Sequence, residues 1–148
     1  MKADLALTQR VRAPQEKVFN EIVNWPSQGA WMLGTKVWVT KNQGIGVGGE
    51  FAAFTGVGKL GFVDPMQITE WNPPHSVSVL HLGKVVKGTG AMQVVKISEN
   101  ESDFIWSESI EPPLGVFGYF GYKIIEPFFK IAIRKSLKKF AQIVENNS

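Results

Sequence analysis

Three residues carry the side chains with which this sequence could move a proton: Asp64, His81 and Glu108. Each sits in a run of alternating apolar residues, where an ionisable group is out of place. In "KLGFVDPMQI", Asp64 shares parity with Leu60, Phe62, Met66 and Ile68. In "DFIWSESIE", Glu108 shares parity with Phe104, Trp106 and Ile110. In "SVSVLHL", His81 shares parity with Val77 and Val79, against a competing face of Ser78, Leu80 and Leu82. A carboxylate or imidazole on an apolar face has a perturbed pKa, and general acid–base chemistry depends on such groups. On this reading the three residues form a proton-transfer site for cyclisation or dehydration. The structural reading makes Asp64-Pro65 a bulge or turn and His81 a hydrogen-bonded strand-end residue. Glu108 then pairs with a basic side chain at the sheet rim, as buried polar groups are usually satisfied.

Other chemistry has less support. The glycines of "GIGVGG", at 44, 46 and 49, satisfy G-x-G-x-x-G, a dinucleotide-binding pattern only where a strand precedes it and a helix follows. Here it leads into "EFAAFTGVGKLGF", a strand with further glycines, and no βαβ repeat surrounds it. The stretch reads as a turn between two strands, and no nucleotide cofactor is expected. The chain has no cysteine and two histidines, which removes thiolate chemistry and disfavours an all-protein metal site. Ser107 and Ser109 lie in a strand without a nucleophile elbow.

The elements that position these groups follow from periodicity. "DLALTQRVRAP" alternates as a strand, and "PQEKVFNEIVNW" places Val18, Phe19, Ile22 and Val23 on one helical face behind Pro14. "SQGAWML" adds a short second helix. Six strand-like runs then follow, from "TKVWVTK" to "DFIWSESIE", with only turn chemistry between them, which predicts an antiparallel meander. The last segment is helical and carries two apolar stripes. Phe117, Phe120, Ile124, Phe128 and Ile131 form one; Phe129, Ile133, Leu137, Phe140 and Val144 form the other, rotated well around the helix. The changeover beside Pro127 predicts a kink or interruption there.

The 148 residues, 44% apolar and 20% charged, predict a single domain with its own core. The net charge of +3 is small and lacks aromatic–basic interleaving, so no nucleic-acid partner is expected. The N-terminus shows no secretory signal, and no apolar run reaches the roughly 18 residues of a membrane span, so a cytoplasmic protein is expected.

The motifs "VRAPQEKVFNEIVNWPSQGAW", "ITEWNPPHSV", "HLGKVVKGTGAMQV" and "FIWSESIEPP", followed by the terminal helix, occur in an order and spacing that resembles the START-like, or SRPBCC, superfamily. This superfamily contains polyketide cyclases/dehydrases, lipid-transfer domains and pollen-allergen relatives. The resemblance covers nearly the whole chain. It implies an α+β helix-grip fold: a curved antiparallel sheet of about seven strands, in β-α-α-β6-α order, wrapped on a long C-terminal helix. It also implies an internal apolar cavity for a hydrophobic ligand; no cofactor and no metal are expected.

On that fold, Phe54, Phe62, Met66, Trp106, Phe117, Phe120, Ile124 and Phe128 are the candidates to line the cavity; on the alternative reading they are ordinary core. The glycine-rich segment 115–121 reads either as a gate beside the cavity or as a close helix–sheet contact. Arg134, Lys135, Lys138 and Lys139 read as a transient contact for an anionic membrane or as the helix's solvated side. The expected function is binding of a hydrophobic small molecule (a lipid, polyketide or similar) as carrier or sensor. The alternative is a cofactor-independent cyclase or dehydrase acting through Asp64, His81 or Glu108.

Overall fold

The structure, a computed structural model, describes residues 2–112 and 114–147. Strand β1 (Ala3–Val11) opens the chain and buries Ala3, Leu5, Leu7 and Val11 on one face. Helix α1 (Gln15–Ile22) follows Pro14, whose carbonyl accepts the first helical bond from the Val18 N–H at 3.1 Å. It buries Val18, Phe19 and Ile22. Trp25–Ala30 is a 3-10 turn, in place of the short helix expected there.

Six strands then run in sequence: β2 (Thr35–Lys41), β3 (Glu50–Val57), β4 (Leu60–Asn72), β5 (Ser76–His81), β6 (Gly88–Ser98) and β7 (Glu101–Ile110). All neighbours are antiparallel, and the sheet order is β1-β7-β6-β5-β4-β3-β2. Register shifts in β2, β4 and β6 add local bends to the curved sheet. The meander and its seven-strand sheet match the expectation from the alternating runs.

The loop of "GIGVGG" is the expected strand connection, between β2 and β3. The Trp25 indole N–H donates to the Gly44 carbonyl at 2.7 Å, and the Trp25 ring stacks on Phe51 at 3.9 Å between centroids. Gly44 has φ 64°, and a Cβ there would lie 2.6 Å from the Trp25 ring. Glycine is required by both conformation and space.

Helix α2 (Gly115–Asn146) is continuous through Pro127, so of the expected kink or interruption the interruption does not occur. Proline removes a single backbone donor, and the turns on either side carry the helix across it. Only the second half is buried. Phe140 makes edge contacts with Phe104 and Trp31 at 4.9 and 5.0 Å, and Ile133, Leu137 and Val144 share its side. The Ser136 hydroxyl accepts the Leu33 N–H at 3.0 Å, tying the helix to the segment before β2. Before Ile133, no described residue of the helix is buried. The inward positions of this half run through Gly118, Tyr122 and Glu126, each only part-buried. Glu126 pairs with Lys123 and Lys130.

Candidate functional site

The inner face of the sheet is set by pleat and register. Val77, Val79 and His81 of β5 face inward, while Leu80 and Leu82 lie outward and exposed, which decides between the two faces open to "SVSVLHL". Asp64 lies inside β4, paired with Ala53, so Asp64-Pro65 is neither turn nor bulge. The Pro65 carbonyl still accepts a bond from the Leu82 N–H at 2.8 Å.

Asp64, His81 and Glu108, far apart in sequence, meet on this face. The His81 Nδ1 lies 3.0 Å from both carboxylate oxygens of Asp64, and its Nε2 lies 2.9 Å from Oε2 of Glu108. The imidazole is closed off from solvent, with 3% of its side chain exposed, while Asp64 and Glu108 keep 12% and 17%. A carboxylate at each ring nitrogen calls for a hydrogen on each, which is the imidazolium. Burial alone lowers the His81 pKa, but the bonds to Asp64 and Glu108 outweigh it and raise the value from 6.5 to about 10. Burial pushes the Glu108 carboxyl up, against the opposing pull of His81. The partner expected for Glu108, a basic side chain at the rim, is thus the imidazolium of His81.

One strand stands between the partners. β6 runs between β5 and β7, and Glu108 pairs in register with Gly90. A Cβ on Gly90 would lie 2.9 Å from the Glu108 Oε2, so the missing side chain is what lets this carboxylate cross. Gly90 is a site residue that the sequence reading missed. The only available signal was a glycine within an otherwise regular strand pattern.

The chemistry open to this arrangement is limited by its own bonds. Both His81 nitrogens are engaged, so no lone pair is free for a metal, and no metal-holding group occurs among the described residues. His81 positions; the carboxylates are the groups with remaining acceptor capacity. Glu108, whose carboxyl burial pushes above its ordinary value, is the member suited to hold or release a proton.

A hollow of about 280 Å³ lies between the first half of α2 and the strand ends, lined by Val85, Ile110, Gly118, Tyr122 and Ile125 among others. Ile110 is two residues beyond Glu108 on the same face. Burial and the neighbouring charges of Glu126 and Glu108 raise the Tyr122 pKa, so this phenol lies within the field of the charged cluster. Tyr122 was not among the expected site residues; it shares the helix with two apolar stripes and stands on neither.

The expected lining set divides. Met66 and Trp106 are buried on the inner face; Met66 pairs with His81, and the Trp106 ring lies 6.3 Å from Phe129 of α2. Phe62 shares the inner parity of Asp64 and Met66 and is half-buried. Phe54 turns to the other face, where it lies over Gly61. Phe117, Phe120, Ile124 and Phe128 point away from the sheet and are exposed, from 59% at Phe120 to 85% at Phe117. These five residues do not stand on the inner wall as expected. Phe54 has the opposite strand parity, and the four helical residues lie opposite the side that α2 buries through Ile133, Leu137 and Phe140.

Solved structures share this architecture. The chain superposes on the Zhui aromatase/cyclase from Streptomyces sp. R1128 with a TM-score of 0.79 at 12% identity, covering 98% of this chain and 94% of the other. For TTHA0849 from Thermus thermophilus the TM-score is 0.81 at 12% identity, covering 99% of both chains. A point mutant of norcoclaurine synthase from Thalictrum flavum, in complex with a transition state analogue, gives 0.66 at 16% identity, covering 100% of this chain and 98% of that one. No family model matches the sequence, and no curated protein matches it. The seven-stranded antiparallel sheet with its long C-terminal helix is a helix-grip fold, and at these identities the likeness is one of fold.

Proposed function

We propose that this protein binds an apolar small molecule, a lipid, polyketide or similar, between the first half of α2 and the inner face of the sheet. The observation that carries the proposal is the unfilled contact there. No described helix residue before Ile133 is buried, and the sheet opposite carries a cluster of charged side chains. Ligand sites are mostly apolar with a few fixed polar groups, and this space has both. Val85, Ile110 and Ile125 supply apolar walls and Tyr122 a polar point, with Glu108 two residues from Ile110 on the same strand face. Fold neighbours named as an aromatase/cyclase and a synthase support a small-molecule role, though fold by itself does not select one.

The convergence of Asp64 and Glu108 on one imidazole favours a second reading, a cofactor-independent cyclase or dehydrase. In it, Glu108 exchanges a proton with a bound polyketide-like substrate while His81 and Asp64 hold its position and charge. Native mass spectrometry of freshly purified protein, followed by denaturing extraction, tests the first reading. A retained apolar molecule is expected. Protein that carries none and shows no saturable change in intrinsic tryptophan fluorescence with fatty acid or polycyclic aromatic probes would sink it. Glu108→Gln separates the two readings, because a carrier keeps its ligand and an enzyme binds without turnover.

A further inference from the structure

The outward side of α2 changes character along its length. At about 100° per residue, Phe117, Phe120, Ile124, Phe128 and Ile131 fall on one side, opposite the buried Ile133, Leu137, Phe140 and Val144. All five stripe residues are more than half exposed, four between 53% and 73% and Phe117 at 85%, which is unusual for a stripe of this size on a lone protein. The same side of the second half carries Lys135, Lys138 and Lys139, with Arg134 on its flank, all exposed. None of the four forms an ion pair among the described residues. Between Val116 and Gln142 the helix holds one acidic residue, Glu126, and it lies on the inner flank with 14% of its side chain exposed.

We infer that the outer ridge of α2 docks this protein on an anionic lipid surface, the aromatic half entering the headgroup region and the basic half resting on the lipid charges. The apolar half is about 20 Å long, suited to lying in the interface plane, and no described helix is long and apolar enough to span. Charge selects the occupant. A second copy packed antiparallel along the whole ridge would set the cations of one chain against Phe117 and Phe120 of the other. Packed parallel, it would set cations against cations. A continuous anionic plane beside an apolar layer meets both halves at once, as a bilayer does. This ridge lies apart from the charged cluster, and its docking does not depend on the identity of a ligand.

Flotation with phosphatidylcholine vesicles, with and without about one-third phosphatidylserine, tests it. Wild type is expected to float with the anionic vesicles and to be released by raised salt. Lys135→Gln with Lys138→Gln should weaken partition by roughly fivefold per cation, and Phe117→Ser with Phe128→Ser by tenfold or more. All four positions are exposed, so both variants should keep the wild-type circular dichroism. Wild type that stays unbound overturns the inference, as does either double variant that floats like wild type. A solution dimer dissolved by Phe128→Ser overturns it too, by making the ridge a contact between copies.

Discussion

Glu108 reaches His81 across a strand to which neither belongs, passing over Gly90 to bring Oε2 within 2.9 Å of Nε2. The cluster of two carboxylates about one imidazolium therefore depends on the absence of a single methyl group. Gly90→Ala should fold, because the atom it meets is the end of a flexible side chain, but it should push the carboxylate away. The His81 pKa is then expected to fall from about 10, with a stability loss of about 1–3 kcal/mol. Proton-detected NMR titration of His81 reads the first and denaturant unfolding the second. An unchanged titration would show that Glu108 does not depend on this gap.

Stability should decline on the alkaline side. The folded pKa of His81, about 10, lies above its ordinary 6.5, so its contribution is complete below about pH 6.5 and is lost as the pH rises through about 10. Glu108 is raised as well, so its contribution is also lost as the pH rises, from the ordinary carboxylate range up through its higher folded value, and adds no recovery on the alkaline side. The expected loss between these pH values is on the order of a few kcal/mol. Denaturant midpoints measured across that window should fall in wild type and flatten in His81→Gln. Parallel curves for the two proteins would contradict the assignment.

Two phenylalanines of one helix should behave oppositely. Phe140 is fully buried against Phe104 and Trp31, and Phe140→Ala should cost about 3–5 kcal/mol. Phe128 is 72% exposed, and Phe128→Ala should stay within about 0.5 kcal/mol of wild type. Thermal unfolding of both variants decides which side of α2 faces the core; equal losses would mean that both do.

Trp25→Phe keeps an aromatic ring over Phe51 and removes the indole donor from the buried Gly44 carbonyl. A cost of about 1–3 kcal/mol is expected from the unpaired carbonyl. The loop between β2 and β3 should also exchange its amide hydrogens faster. No change in either would make the 2.7 Å bond incidental to the loop.

The period-two runs and their turn residues were enough for the seven strands and their antiparallel succession, because hairpin connections leave a meander few alternatives. Parity alone put Asp64, His81 and Glu108 on apolar faces, since a strand assigns alternate residues to one side whatever lies opposite. Their contact was not legible. It depends on the register of four strands and on the gap over Gly90, and a single strand's pattern holds no information about its neighbours. The side of α2 could not be read either. Phe117 and Phe140 belong to stripes of equal apolar character, and periodicity shows that a stripe exists without showing what covers it. The first half of α2 turns Gly118, Tyr122 and Glu126 inward and none of its described residues is buried, while the sheet accepted the side of Ile133 and Phe140. Pattern within a segment was written in the chain; pairing between segments was decided by the surface each one met.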